Sequence, residues 1–292
     1  MNAGARRALH LALLPGLAAA LGFGASNVLG KLALLSGTDV LAMVSFRGCV
    51  GVVCVWAWLR LSPPARTHTP HERNIALALG LLFAANTFAV FKAIEHVPVP
   101  IAVLAYFIYP LLTGVFGALT GLDRLGWRGA LTALAAFAGL ALMIGAHAGQ
   151  LSPVGLGWAF FGAACRTVML LLQRAALPQA DSRLTSGWSL LSSTVVLVLL
   201  CLSTQSWGLP QGAVGWGSFL GVSLLTTVAI VALYASTARI GPFRTALVMN
   251  LEPVTSILLS ALVLGESIGG MQLLGAAVMI ASLVAFQFRN NP

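Results

Sequence analysis

Apolar runs of about twenty residues alternate with short polar breaks along the whole chain. A helix that crosses a bilayer needs about 20 mostly apolar residues, and charges, prolines and turn residues divide this sequence into ten such runs. The predicted spans are 8–35, 39–60, 74–94, 98–120, 126–147, 153–174, 184–205, 214–237, 243–264 and 268–288. The longest polar connection, residues 61–73, is only a loop. We therefore expect an all-α polytopic membrane protein with ten transmembrane helices and no soluble domain.

The composition is that of a chain whose main solvent is lipid. Of its 292 residues, 59% are hydrophobic and 8% are charged, against about 25% charged residues in soluble domains. The mean hydropathy is +0.94. These values exclude a soluble enzyme, an extracellular disulfide scaffold and a disordered regulator. Four cysteines lie inside apolar runs without a CxxC pair, so we expect no metal site and no cofactor.

The basic residues lie almost entirely at alternate span ends. A formal net charge of +9 would favour nucleic acid as a partner of a soluble protein. Here the basic residues are mostly single and scattered between apolar runs, so we expect no nucleic-acid partner. With a cytoplasmic N-terminus, twelve arginines fall at inside ends and only Lys31 and Lys92 at outside ends. Because inside loops carry the excess of Lys and Arg, we predict a bacterial-type inner-membrane protein with both termini in the cytoplasm.

The second half of the chain repeats the first with a shift of 143 residues. Pro110 aligns with Pro253, Asp123 aligns with Glu266, and the boundaries of the last three spans of each half agree. The predicted five-helix repeats are 1–147 and 148–292. Because five is an odd number, the second repeat crosses the membrane in the opposite direction. Inverted repeats are typical of secondary transporters, which bind substrate near the midplane between the halves.

Several motifs in these repeats resemble a known transporter family. In chain order they are Gly24-Ala25-Ser26-Asn27, Lys31, Arg47, Tyr109-Pro110, Gly121-Leu122-Asp123, Leu251-Glu252-Pro253-Val254, Leu264-Gly265-Glu266 and Gln272-x-x-Gly275-Ala276-Ala277. Together they resemble the EamA-type transporters of the drug/metabolite transporter superfamily over nearly the whole chain. The resemblance implies a ten-helix inner-membrane exporter of metabolites, with amino acids prominent among the substrates. The chain departs from that pattern at Tyr109 and Asp123, which stand where the closing repeat has glutamates, and at Arg166 within span six.

Two opposite charges are predicted at the same depth in the membrane. Glu252 lies eight residues from Arg244, about 12 Å from the cytoplasmic ring of charge. Arg166 lies eight residues from Arg174, again about 12 Å deep. A pair of the two would offset part of the cost of burying each charge. Glu252 is then a proton carrier, a contact for a substrate ammonium or a helix-break residue, and Arg166 is a carboxylate contact or a structural partner. Arg47 has no obvious acidic partner, and we interpret it as structural.

Spans four and nine each carry a polar face around a proline. Tyr106, Tyr109 and Thr113 share one face at helical spacing, and the repeat places Met249, Glu252 and Ser256 in the corresponding positions. A lipid-facing stripe would not be polar, so these faces are predicted to meet a cavity among spans 1, 3, 4, 6, 8 and 9. The predicted cavity residues are Phe23, Asn27, Asn86, Tyr106, Tyr109, Thr113, Arg166, Tyr234, Asn250, Glu252 and Ser256, and the predicted helix breaks are Gly22, Gly24, Pro110 and Pro253. The alternatives are interhelical hydrogen bonding for the amides and hydroxyls, and plain packing for the aromatic rings.

These features favour a carrier over an enzyme or a channel. The sequence has no GxxxxGK[ST] phosphate loop, and its histidines and acids form no nucleophile–base pair or metal cluster. A channel would need a ring of carbonyls or charges. We predict an alternating-access exporter of a small amphipathic metabolite, with amino acids, and aromatic ones in particular, as the first choice. The alternative is efflux of drugs or hydrophobic cations, followed by a lipid scramblase or a receptor. The expected partners are a small-molecule substrate and the bilayer, and the oligomeric state stays open, with a monomer among the options.

Overall fold

The computed structural model describes residues 3–64, 66–97, 99–122, 126–144 and 152–265, together with 270–271, 273–275, 277–278 and 281–282. The regular structure in these ranges is α-helical. The helices are α1 (Ala3–Leu35), α2 (Val40–Leu61), α3 (Pro70–His96), α4 (Val99–Tyr106), α5 (Tyr109–Leu119), α6 (Trp127–Ile144), α7 (Pro153–Ala176), α8 (Ser182–Thr204), α9 (Gly212–Ile240), α10 (Pro242–Val248) and α11 (Leu251–Leu264). The predicted helix-end acids Asp123 and Glu266, and part of span ten, lie outside the described residues.

The described helices correspond to predicted spans one to nine and confirm the all-helical membrane fold. Seven helical segments of the described chain are long and apolar enough to cross a bilayer. One of them, Pro242–Leu264, comprises α10 and α11. Span four forms the short helices α4 and α5, and span five forms α6.

Polar residues at the helix starts determine where the connections end. The first backbone N–H groups of a helix lack intrahelical acceptors. At the start of α3, Thr69 Oγ1 accepts from Glu72 N and Glu72 Oε2 accepts from Thr69 N, with Pro70 in the first turn. At the start of α8, Asp181 Oδ1 accepts from Arg183 N at 2.8 Å. These caps begin each helix at the edge of its apolar run.

Spans four and nine are interrupted at repeat-related positions. Helix α4 ends at Tyr106 and α5 begins at Tyr109, and in the second half α10 ends at Val248 and α11 begins at Leu251. A proline has no N–H and clashes with the carbonyl four residues earlier. Both prolines that follow, Pro110 and Pro253, therefore prevent a continuous helix through the residues just before them.

Helix α1 is continuous through Gly22 and Gly24, so the predicted break in span one is wrong. The glycines allow close approach of other helices. A Cβ atom at Gly22 would lie 3.1 Å from Ala229 Cβ of α9, and a Cβ atom at Gly24 would lie 2.8 Å from the Glu252 carbonyl of α11. The small residues serve helix packing, as is common inside membranes.

Helices of one half pack against the other half in the same way as their repeat counterparts do. Helix α1 packs on α9 and α11, and its repeat counterpart α7 packs on α3, α4 and α5. Likewise α2 packs on α9 while its counterpart α8 packs on α3, and α4 meets α11 while α10 meets α5. Each half therefore packs its first helix mainly against the other half.

Hydrogen bonds join the halves at both ends of the bundle. At one end, Asp39 N donates to the Gly208 carbonyl at 3.1 Å, and Gly208 N donates to Asp39 Oδ2 at 2.8 Å. At the other end, Arg183 Nη1 donates to the Ser62 carbonyl at 3.1 Å. His68 Nε2 lies 3.4 Å from Thr185 Oγ1 at this second end. The midplane between these two ends is where the candidate site lies.

Candidate functional site

A small cavity lies between the halves, and both halves line it. Its volume is about 30 Å³, which is room for about two water molecules. The lining residues are Phe23, Ser26, Asn27, Arg47, Asn86, Thr87, Val90, Phe91, Tyr106, Arg166 and Glu252. Because α7 and α11 belong to the second half and the other lining helices to the first, movement between the halves would change the cavity volume.

Glu252 and Arg166 form a buried ion pair at the cavity wall. Their side chains are 5% and 2% exposed, and Arg166 Nη2 lies 3.9 Å from Glu252 Oε2. That distance is too long for a hydrogen bond. Glu252 Oε2 and Arg166 Nε have no hydrogen-bond partner among the described residues. The two opposite charges are therefore close enough to offset each other. Arg166 Nε and Glu252 Oε2 remain able to form hydrogen bonds with a bound ligand.

Aromatic rings surround the Arg166 guanidinium. Its central carbon lies 4.9 Å from the Phe23 ring centroid and 5.7 Å from the Tyr109 ring centroid. The Tyr106 and Tyr109 rings are 5.2 Å apart. A cation over aromatic faces gains electrostatic attraction, which is larger when water is excluded. These rings partly compensate Arg166 for its loss of hydration.

Asn27 connects α1 to the start of α11. Its Nδ2 donates to Glu252 Oε1 at 3.1 Å and to Ser256 Oγ at 3.3 Å. Ser256 Oγ in turn donates to the Gly24 carbonyl at 3.2 Å. The Glu252 carboxylate is therefore held on one oxygen by an amide, while its second oxygen points to the arginine.

Asn86 joins three helices on the other side of the cavity. Its Nδ2 donates to the Gly162 carbonyl of α7 at 2.8 Å and to the Tyr106 hydroxyl of α4 at 3.3 Å. The amide thus satisfies a carbonyl inside α7 and orients the tyrosine that ends α4. This places Tyr106 beside the first helix break.

Arg47 enters the cavity from α2, a helix that the sequence did not assign to it. The residue is 5% exposed. Its Nη2 donates to Thr87 Oγ1 at 2.7 Å, and its Nη1 is 3.5 Å from Thr226 Oγ1. The guanidinium carbon also lies 5.6 Å from the Phe91 ring centroid and 5.8 Å from that of Phe83. The cavity therefore holds a second arginine in addition to Arg166.

Several predicted cavity residues lie elsewhere in the core. Tyr234 donates from its hydroxyl to Ser189 Oγ at 3.1 Å, and its carbonyl accepts from Gln173 Nε2 at 2.8 Å. Tyr234, Thr113 and Asn250 are buried, but they are not among the residues that line the cavity. Tyr234 connects α9 to α7 and α8. This contact corresponds to the alternative interpretation of the aromatic rings, in which they pack between helices and do not line a cavity.

The remaining predicted residues lie around the cavity rather than on its wall. Tyr109 is fully buried behind Tyr106, and Ser256 reaches the site through Asn27. Pro110 and Pro253 lie in the first turns of α5 and α11.

The sequence reasoning missed Thr87 and Val90 in the cavity wall. These residues lie one and four positions after Asn86, and Phe91 lies five positions after it. Residues four apart share a helix face, which groups Val90 with Asn86 and Phe91 with Thr87. The position of Asn86 could therefore have indicated the neighbouring cavity residues on α3. Within the part of the chain that the structure describes, no three His, Cys, Asp or Glu side chains are grouped so as to hold a metal.

Comparisons with known proteins agree with this architecture. The model of the EamA-like transporter family matches the chain twice, over residues 10–145 and 153–286. A solved structure described as "Crystal structure of protein" is similar to this chain with a TM-score of 0.79 and 19% identity, over 96% of this chain and 97% of that one. At this identity the likeness shows the fold. No curated protein matches the sequence.

Proposed function

We propose, from the premise that this chain belongs to the EamA-like transporter family, that it exports a small amphipathic metabolite by alternating access. Family membership makes the protein a multi-pass membrane transporter of the drug/metabolite transporter superfamily. Our first candidate for the substrate is an amino acid with an aromatic side chain.

The observation that carries this proposal is the cavity with both signs of charge beside aromatic rings. Glu252 supplies an acceptor for an ammonium group, and Arg166 supplies donors for a carboxylate. Phe23 and Tyr106 line the same space and offer apolar surface for a side chain. Ionisable groups inside a bilayer are costly and usually functional. An amino acid presents all three complementary features in one small molecule.

The size of the cavity supports alternating access. A volume of about 30 Å³ holds about two waters and is too small for an amino acid. Substrate binding therefore requires the halves to separate on one side of the membrane. The breaks between α4 and α5 and between α10 and α11 provide equivalent flexible points in each half. Because the helix packing is symmetric when the halves are exchanged, opening at either side uses equivalent contacts.

We place the end that carries Arg60, Arg174, Arg183 and Arg239 in the cytoplasm. These arginines lie in the last turns of α2, α7 and α9 and the first turn of α8. The excess of basic residues at cytoplasmic ends supports this orientation, with both termini inside. Substrate would enter from that end and leave at the end that holds the Asp39–Gly208 contact.

Counterflow in proteoliposomes tests the proposed function. Vesicles preloaded with phenylalanine should accumulate labelled phenylalanine, and unlabelled phenylalanine should compete better than threonine or a cationic dye. Exchange of this kind also separates a carrier from a channel, a scramblase and a receptor. Competition by the dye alone would favour efflux of hydrophobic cations, for which Glu252 near aromatic rings is the supporting observation. If none of the three ligands competes, both substrate proposals fail.

Glu252→Gln separates two roles of the carboxylate. A residue that carries protons would lose proton-driven transport and retain exchange. A residue that serves only to balance Arg166 would lose both activities or fail to express. Arg60→Gln, which removes an exposed arginine in the last turn of α2, is the matched control and should retain both. Full activity of Glu252→Gln with an unchanged pH profile would assign the residue to helix-break geometry alone.

A further inference from the structure

We propose that Arg47 binds an anionic group of the substrate, so that the cavity takes organic carboxylates, including amino acids, and rejects cations. This inference rests on the proposed function because it assigns the substrate class of the same cavity. It differs from the sequence interpretation, in which Arg47 is structural and Arg166 is either a carboxylate contact or a structural partner of Glu252.

The charge balance of the cavity is the first observation. An arginine keeps its proton in proteins, so Arg47 and Arg166 contribute two positive charges against one carboxylate, Glu252. That carboxylate lies beside Arg166. Among the residues that the structure describes, Arg47 takes part in no ion pair, and its polar contacts are the neutral hydroxyls of Thr87 and Thr226. A buried cation without a counter-charge is costly, and a substrate anion would supply the counter-charge.

The unused donors of Arg47 are the second observation. A guanidinium has five N–H donors in a planar fork that matches a carboxylate. The contacts to Thr87 and Thr226 use one donor on each terminal nitrogen. The other donors meet no side chain or carbonyl acceptor in the described part of the chain. Since Arg47 lines the cavity, these donors are available to a bound carboxylate.

The surroundings of Arg47 hold its side chain in place. The rings of Phe83 and Phe91 lie within 6 Å of the guanidinium, and the 2.7 Å bond from Nη2 to Thr87 fixes one terminal nitrogen. A side chain that is already ordered loses less entropy when it binds a ligand. A purely structural residue that bridges two threonines could be a neutral amide, which avoids the cost of a buried charge.

The resulting arrangement separates three kinds of ligand. A zwitterion would place its carboxylate at Arg47 and its ammonium at Glu252. A carboxylate without an ammonium would still bind Arg47. A hydrophobic cation would meet two arginines and one carboxylate, which is net repulsion. The inference therefore predicts that removal of the carboxylate harms binding more than removal of the ammonium.

Ligand-dependent thermal unfolding of the purified full chain in detergent tests the inference directly. The probes are phenylalanine, 3-phenylpropionate and 3-phenylpropionamide, with an equal addition of sodium chloride as the control for ionic strength and for an adventitious anion. We expect the two carboxylates to stabilise the wild-type protein and the amide and chloride to have little effect. A carboxylate effect no larger than that of the amide or of chloride would overturn the inference.

Variants of Arg47 identify the residue responsible. Arg47→Gln keeps hydrogen-bonding groups for Thr87 and Thr226 and removes the charge, and we expect it to weaken binding of both carboxylates about 10- to 100-fold. Arg47→Lys keeps the charge without the fork and should lose less. Arg60→Gln should bind like the wild type. Unchanged affinity of Arg47→Gln for 3-phenylpropionate would overturn the inference. If that variant does not fold, Arg47→Lys decides: weaker carboxylate binding supports the inference, and unchanged binding overturns it.

Counterflow of the same variants distinguishes this inference from the proposed function. If the wild type exchanges phenylalanine and Arg47→Gln does so with unchanged KM, the transport function stands and the role of Arg47 is refuted. If the wild type exchanges none of the ligands but is stabilised by carboxylates through Arg47, the anion site stands and the proposed transport of amino acids fails.

Discussion

The close approach of α1 to α11 at Gly24 makes Gly24→Ala a sharp test of the site geometry. The added Cβ atom would lie 2.6 Å from Thr255 Cβ and 2.8 Å from the Glu252 carbonyl oxygen. Carbon atoms prefer a separation of about 3.5–4.0 Å, so the helices must part locally by about 1 Å. Asn27 Nδ2 is 3.1 Å from Glu252 Oε1 and 3.3 Å from Ser256 Oγ. A displacement of that size takes both pairs beyond the range of a hydrogen bond.

The free energy of unfolding should therefore fall in Gly24→Ala. Overpacking of a tight core costs about 1–3 kcal/mol, and each lost hydrogen bond adds about 0.5–1.5 kcal/mol. The better helix propensity of alanine returns about 0.5–1 kcal/mol. We expect a net loss of about 1–5 kcal/mol, together with weaker transport because Glu252 moves away from Asn27.

Unfolding of the detergent-solubilised protein, followed by circular dichroism, measures this loss. The matched control is Gly157→Ala in α7, where an added Cβ atom has no neighbour within 4 Å. The control should be as stable as the wild type or slightly more stable. Equal stability of Gly24→Ala and Gly157→Ala, with equal transport, would refute the packing argument.

Three further outcomes are expected outside the cavity. Burial lowers the pKa of His68, against the opposing effect of Glu72 and Asp181. As the pH falls, the unfolded chain therefore binds a proton at this histidine before the folded chain does. The contribution of neutral His68 to the free energy of unfolding should be complete above about pH 6.5 and should decrease as the pH drops below it. Unfolding temperatures measured from about pH 7.5 to 5 should show a smaller fall in His68→Gln, and an equal fall would contradict this. Thr69→Ala removes a helix cap and should cost about 0.5–2 kcal/mol in the same unfolding assay. Tyr234→Phe removes the hydrogen bond to Ser189 and should lower the free energy of unfolding by about 0.5–1.5 kcal/mol. Phenylalanine counterflow should be unchanged. Lost exchange in a stable variant would place the tyrosine in the transport path.

The helical fold was predictable because its determinants are local. The length of an apolar run decides whether it can span a bilayer, and a proline disrupts the helix at fixed positions before it. The interruptions before Pro110 and Pro253 therefore follow from the sequence. The same is true of the pairing of Glu252 with Arg166, because depth along a helix follows from residue count.

The direction of each side chain around its helix was not predictable in the same way. Tyr234 is at a suitable depth but contacts Ser189 of α8, and only the packing of α9 decides this. Arg47 has no acidic neighbour in sequence, and its partners Thr87 and Thr226 come from helices in different halves. Gly24 could equally have marked a bend or a close contact, and the position of Thr255 on α11 decides between them.

The packing of α1 against α9 and α11 also dictates an order of events during synthesis. Helix α1 is synthesised long before α9 and α11, its main neighbours. Until α11 has been made, the Asn27 side chain lacks its hydrogen-bond partners Glu252 and Ser256, whereas Arg47 can already reach Thr87 of α3. A chain that stops before α9 would lack Thr226, Glu252 and the surface that covers α1. Two separately encoded halves should therefore accumulate only when they are produced together and inserted in opposite directions.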